Sequence, residues 1–447
     1  MLVEATMLGI RIDMILSGLR PALLIQGFRK LYIWKPGPSL DAERRKGLLA
    51  FMADGAAAAF SDNLAANFLE IYMLALGAGN RAVGTMAALA NLAGFLSLAP
   101  GVAAIKLAGG RKPVVLLAGG GLGRLGLFGI AIAPFLFPDP AIAIPAVIGF
   151  QILRVFMGNF SNPAWTGMVA DLVPEASRGG YFASRSALVA IVGAGATLSA
   201  GFMAGFGNRV SGTAFSGYSL VFAIAFAFGM LSTWCFSHVP DYWDRSATAK
   251  RSFAELGRLL LHYPLFIGFV AFSFIWNFGI FLAAPFFNVF MVRELGATPA
   301  AIGVVTMMGG IIQILALPLW GKFIDKHDNL RVLQITGLII PMIPVAWSFT
   351  TAIWHPALIN LASGFIWAGF NLAQFNLLLK MLPEEDRQQG AAVYQGLVIL
   401  STVLGPIVGT MLVDTLGYRP TFVASGVFRA LALLVFFRTV VRRLRRQ

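Results

Sequence analysis

The sequence predicts an all-α polytopic membrane protein with twelve transmembrane helices in two six-helix, pseudo-symmetric halves. Three observations carry that prediction. Of 447 residues, 58% are hydrophobic and only 12% charged, against roughly 25% charged in soluble domains. The apolar residues fall in twelve runs near the ~20 residues needed to cross a bilayer's hydrocarbon. The loops after the fourth and tenth runs repeat one another.

In the first half the runs are Leu49 to Leu76, Ala82 to Ala104, Pro113 to Phe137, Ala141 to Leu172, Tyr181 to Phe206 and Tyr218 to His238. In the second they are Leu265 to Val292, Ala300 to Ile324, Val332 to Ile353, Pro356 to Met381, Gly390 to Val413 and Thr421 to Phe437. Short breaks of Gly, Pro or charged residues separate them. The halves are thus residues 49–238 and 265–437, with a polar linker at 239–264 and a basic tail at 438–447. Within the linker, SFAELGRLLLHYP suits an amphipathic helix on the membrane surface, with Arg251 and Arg258 at the headgroups.

Residues 1–48 read as a cytoplasmic or interfacial segment. Their first apolar stretch, Met7 to Phe28, contains Arg11, Asp13, Arg20 and Pro21 and lacks the small-residue cleavage site of a secretory signal. They match nothing downstream, so a true start nearer Met52 is the alternative.

Orientation follows from the basic residues. Of 34 Lys and Arg, the outer loops hold Arg81, Arg209, Arg293 and Arg419, and the spans hold Arg124, Arg154 and Arg429; the remainder lie in segments on one side, counting with them Arg185, Lys322 and Lys380 at the span ends facing it. The positive-inside rule makes that side, and both termini, cytoplasmic. A bacterial inner (plasma) membrane is the expected location. The net charge of +14 belongs to this topology, so no nucleic-acid partner is implied; the expected partners are the lipid bilayer and a small-molecule substrate, with the chain a monomer.

Other chemistry is excluded by residue type. One cysteine, Cys235, and four scattered histidines offer no metal-ligand spacing and no thiol mechanism. No nucleophile, base and orienting group come together, so the chain is not read as an enzyme and has no catalytic residue. The tract Gly119 to Gly123 lacks the Lys-Ser/Thr ending of a phosphate loop. No cofactor is implied.

The repeat is specific. DLVPEASRGGYF from Asp171 aligns with KMLPEEDRQQGA from Lys380, so Pro174, Glu175 and Arg178 match Pro383, Glu384 and Arg387 at an offset of 209, and Asn162 matches Asn371. LGAGNRAVG from Leu76 matches LGATPAAIG from Leu295. The halves therefore run in the same order, as parallel repeats. After the eighth span, GKFIDKHDNLR runs from Gly321 to Arg331. These features together resemble the major facilitator superfamily over roughly residues 49–438. Gly321, Asp325 and Lys326 match its loop signature. Gly321 is expected to permit a tight helix exit, and Asp325 to cap or face a helix of the other half. The first-half copy keeps Gly101, Lys106, Arg111 and Lys112, but Ile105 stands where the family has Asp. The resemblance implies alternating access about a central cavity lined mainly by the first, fourth, seventh and tenth helices, with Gly101, Arg111, Arg178, Gly321, Asp325, Lys326 and Arg387 in gating loops. It names no substrate, because one fold carries many.

Polar side chains inside the spans are the candidate site, since they must face a cavity or one another. Asn63, Asn67 and Glu70 fall on one face of the first span, with Asp62 beside them. Asp62 and Glu70 are candidates for proton coupling. An uncompensated midplane charge costs at least ~2.5–3.5 kcal/mol, so Asp62 requires an arginine partner. Arg154, with Gln151, is expected in the cavity, and Arg124 is expected as a partner within the half. Arg429 is placed near a cytoplasmic end, which leaves the second half's site nearly uncharged. Its substrate candidates are Trp276, Asn277, Asn288, Gln313, Trp367, Asn371 and Gln374, whose rings and amides suit an amphipathic organic ligand, while Arg154 in the cavity, with Asp62 neutralised by Arg124, favours an organic anion or zwitterion. The fifth span lacks the Gly-Pro pair of the family's proton-driven drug antiporters, which argues against drug efflux. The rival reading is a non-transporting member of the same fold, acting as an assembly or delivery factor for a membrane complex.

Overall fold

A computed structural model describes residues 41–174, 177–242, 263–380 and 384–444. The repeated Glu175 and Pro383, the proposed surface helix at 252–262 and most of the N-terminal segment lie outside these residues. Eleven helical spans are long and apolar enough to cross a bilayer. A further helix, Ala42–Ala66 continued by Leu69–Ala75, precedes them. It misses that apolar threshold because it carries Asp54, Asp62, Asn63, Asn67 and Glu70. It is the first of twelve spans.

The others follow in order: Asn80–Leu107, Arg111–Leu136, Pro140–Leu172, Gly180–Ser211, Ser216–Ser237, Pro264–Arg293, Pro299–Ile324, Asn329–Ser348, Trp354–Gln374, Gly396–Leu416 and Tyr418–Val441. Asp41 caps the first helix, its Oδ1 accepting from the Arg44 amide at 2.6 Å. The helix therefore begins before Leu49, and Leu48 and Phe51 are fully buried against the fourth, fifth and sixth spans. Asp139 and Thr298 cap the fourth and eighth spans in the same way, each followed by the proline that favours a first helical turn.

Small residues set the packing. Gly84 meets Thr410 and the Pro406 carbonyl, Gly201 meets the Pro299 backbone, and Gly405 and Gly409 meet the backbone of Phe281 and Leu282. A side chain at any of these would collide, so the glycines bring the helices close where lipid gives no hydrophobic drive. The tract at 119–123 serves the same end. It lies in a wide π-helical stretch, Val115–Gly123, with Gly119 against Ser161 and Gly120 against Thr233.

Two expectations about the loops change. Gly321 lies inside a helix that runs on to His327; the chain leaves it at Asp328, which holds a positive φ of 74°. Gly101 is also inside its helix, pressed against the Phe160 backbone. Neither residue is a loop hinge, because both helices extend beyond their apolar stretch into the basic residues that follow.

A candidate binding site in each half

The first-half site is built on one face of the first span. Asp54, Ala58 and Asp62 are spaced by four, so they stack along that face and line a cavity of about 480 Å³. Arg124 from the third span donates from Nη1 to Asp62 Oδ1 at 2.7 Å, and Arg154 from the fourth donates from Nη2 to the same oxygen at 3.1 Å. Arg154 also reaches Gln151 Oε1 at 3.4 Å, and Arg124 reaches Ser61 Oγ at 3.2 Å. One turn or two toward the helix start, Asp54 Oδ1 accepts from Ser232 at 2.7 Å, and Arg185 Nη2 stands 3.6 Å from its Oδ2. Arg185 lies over the Phe51 ring at 4.0 Å.

Glycines on neighbouring helices make room for these arginines. Gly55 faces the Arg185 guanidinium, Gly229 the Arg124 stem and Gly126 the Arg154 backbone and Cβ. The cavity wall thus holds three guanidinium groups and two carboxylates, a surplus of one positive charge. The arginine partner required for Asp62 is present twice over, and Arg124 reaches the cavity as well as Arg154. Sequence reasoning missed Asp54 and Arg185. Their signal was the spacing of Asp54 from Asp62 and an arginine just inside the fifth span.

The expected single stripe of Asn63, Asn67 and Glu70 is interrupted. The helix breaks at Asn67 and Phe68, so Glu70 opens the next helical piece. Asn63 bonds back to the Ala59 carbonyl at 2.9 Å. Asn67 offers its carbonyl to Asn288 Nδ2 of the seventh span at 3.3 Å. Glu70 Oε2 is buried without a hydrogen-bond partner.

A second cavity, of about 350 Å³, is lined by Asn67 and otherwise by second-half residues, among them Asn288, Trp347, Asn360, Trp367 and Arg429. Of the second-half candidates, Asn288 and Trp367 face it. Trp276 does not: it is 1% exposed, stacked on Phe370 at 4.7 Å within the core. Asn277 bonds back to the Ser273 carbonyl, and Gln374 donates to the Tyr394 hydroxyl. Gln313 and Asn371 stand outside the walls of both cavities. Arg429 corrects the expectation of an uncharged half, since it lies at mid-length of Tyr418–Val441 and is 3% exposed.

The halves are tied together at one end. Arg81 Nε meets Asp414 Oδ2 at 2.9 Å, and Arg293 donates to Asn80 Oδ1 at 2.9 Å, to the Ala78 carbonyl and to the Tyr418 hydroxyl. Asn91 donates to the Thr402 carbonyl nearer mid-depth. Among the described residues every hydrogen bond between the halves lies in this region. At the other end no hydrogen bond or ion pair among the described residues joins the halves. Arg111 pairs with Asp171 at 2.5 Å and Asp241 at 3.2 Å, and Arg178 donates to the carbonyls of Ala170 and Val173, closing the end of the fourth span. Lys326 is exposed, and the side chains of Asp325 and Arg387 lie outside the described residues.

The sequence profile of the Major Facilitator Superfamily matches residues 274–447. The chain is 26% identical over 402 residues to the multi-drug resistance efflux pump PmrA of Streptococcus pneumoniae, covering 86% of this chain and 94% of that one. It is 27% identical over 287 residues to multidrug resistance protein 2 of Bacillus subtilis, covering 62% and 68%. In fold it resembles a bacterial homolog of the human lysosomal transporter Spinster in an inward-facing conformation, with TM-score 0.71 at 16% identity over 90% of this chain and 99% of that one. The nucleoside transporter NupG gives TM-score 0.70 at 14% identity, over 88% and 99%.

Proposed function

We propose that this chain, which belongs to the Major Facilitator Superfamily, is a secondary active transporter that moves an amphipathic organic anion or zwitterion by alternating access, without ATP. The observation that carries the reading is the single carboxylate oxygen of Asp62 shared by Arg124 and Arg154 in a cavity with one surplus positive charge. An anionic substrate group can replace Asp62 on those guanidinium groups by forming charge-assisted hydrogen bonds of the same kind. Asp62 Oδ2 accepts from no other described side chain, so the displaced carboxylate is open to a proton from cavity water. Substrate and proton then bind together, which is the coupling. Glu70, buried beside the break in the first span, is the second group proposed to exchange a proton.

With both termini cytoplasmic, the end tied by Arg81, Asp414, Arg293 and Tyr418 is the outer one. The described conformation is then closed outward, and transport requires these bonds to part while the cytoplasmic ends come together. Arg178 and Arg387, at repeated positions, are proposed to seat the cytoplasmic ends of the fourth and tenth spans during that motion.

The test is flux into proteoliposomes of a panel of aromatic carboxylates, zwitterions, cations and sugars. Native protein is expected to favour an anion or zwitterion, and Arg154→Ala to reduce that flux at least about tenfold. Anion flux unchanged in Arg154→Ala would remove the basis for the charge assignment. A second reading, export of several unrelated drugs, is favoured by the names of the relatives that align along most of the chain. Flux confined to drug cations, with none of an anion, would put that reading ahead.

A further inference from the structure

The second-half cavity contains a charge that the transport reading leaves unused. Arg429 is buried at mid-membrane depth, its stem running past Gly279, where a side chain would crowd it. Its Nε has no hydrogen-bond partner, and among the described residues it forms no ion pair. A guanidinium so placed is among the costliest groups a membrane protein can carry alone, and such groups mark sites where a partner arrives. The cavity around it contains the rings of Trp347 and Trp367, the amides of Asn288 and Asn360 and the hydroxyl of Ser363. Among the described residues no Asp or Glu lines it. Glu70, whose Oε2 is itself buried without a hydrogen-bond partner, forms no ion pair with Arg429 among the described residues.

We propose that this cavity is a second anion site, in which Arg429 takes the carboxylate of a flat, apolar organic acid whose ring lies against Trp347 and Trp367. The planar guanidinium matches a carboxylate through two parallel N–H bonds. The cavity's size and its mix of rings with a few convergent polar groups suit a small aromatic ligand. This site is separate from the Asp62 cluster, and its test is equilibrium binding. A failure of the transport reading therefore leaves it standing, and the converse holds.

The experiment uses the purified full chain in detergent and isothermal calorimetry with three probes: 2-naphthoate, its uncharged carboxamide, and sodium chloride as the inorganic anion. Native protein is expected to bind naphthoate at least about tenfold more tightly than the carboxamide, with chloride a weak competitor. Arg429→Met should erase that preference. Ser363→Leu, which fills the cavity from the tenth span and leaves the charge in place, should abolish the naphthoate binding that persists in Arg154→Ala. Arg154→Ala should leave naphthoate binding at this site intact. Naphthoate affinity unchanged when Arg429→Met or Ser363→Leu is added to Arg154→Ala would overturn the proposal and make Arg429 the partner of Glu70 in another arrangement of the halves. Displacement of naphthoate by equimolar chloride would overturn the assignment to an organic acid. Should Arg429→Met fail to fold, the Ser363→Leu result decides.

Discussion

In the first half, five charged side chains from four spans share one cavity, and each carboxylate there stands within ion-pair distance of an arginine. In the second half a somewhat smaller cavity contains, among the described residues, one guanidinium and no carboxylate. Both carry one net positive charge, yet they hold it differently. The first cavity is satisfied when empty and can exchange partners at little cost, as a coupling site must. The second has a charge with nothing to exchange, so only an arriving anion can satisfy it. Pseudo-symmetry of the backbone thus does not extend to the chemistry within it.

The comparison is sharpened most by substitutions that should move stability in opposite directions. Asp62→Asn leaves Arg124 and Arg154 facing one another across a neutral amide in place of the shared carboxylate. Because Asp62 is half open to cavity water, the loss should be about 1–3 kcal/mol, below that of a fully buried pair. Arg429→Met removes an uncompensated charge and should raise the unliganded protein's stability by about 1–3 kcal/mol. Thermal unfolding in one detergent checks both signs. Two stabilising or two destabilising results would break the contrast.

A smaller difference is expected from the glycines that seat the arginines. A Cβ at Gly229 would stand 2.6 Å from Arg124 Cδ, whereas one at Gly279 would stand 3.1 Å from Arg429 Cγ. Arg124 is pinned by Asp62 and Ser61 and cannot move aside. Gly229→Ala should therefore cost about 1–3 kcal/mol, and Gly279→Ala less. Unfolding midpoints measured side by side give the order.

The smallest stability effect belongs to the bonds joining the halves. Arg81 is 86% exposed in its pair with Asp414, so Asp414→Asn should leave the unfolding midpoint nearly unchanged. Its effect should be on conformation instead. Asn288→Cys, placed in the second cavity, is expected to react severalfold faster with a membrane-impermeant thiol reagent from outside when Asp414→Asn is added. Equal rates would mean that this pair does not hold the outer end closed.

Much of the fold could be read from sequence, because twelve apolar runs and the lipid's thickness leave few arrangements. Span ends differ mainly where helices continue past the apolar stretch, as at Gly321 and before Leu49. The site was only partly legible. The cost of an isolated charge required a partner for Asp62, and the structure supplies Arg124 and Arg154. Depth and packing across helices are not written along one strand of sequence. Arg185 counted as a residue of the cytoplasmic side until the fifth span carried it to Asp54. Arg429 was expected near a cytoplasmic end, yet it lies at mid-length both of the apolar run Thr421 to Phe437 and of the helix Tyr418–Val441, so its depth was legible from the run alone. Trp276 had the composition of a ligand contact but is enclosed by Phe272, Trp367 and Phe370, a placement only tertiary packing decides.

In the proposed mechanism Asp62 links substrate to proton by exchanging arginine partners. Its most direct test is flux of the preferred substrate in proteoliposomes under an imposed pH gradient, native protein beside Asp62→Asn. The account predicts that native flux follows the gradient and that any flux remaining in Asp62→Asn ignores it. Flux in Asp62→Asn that still follows the gradient would contradict it.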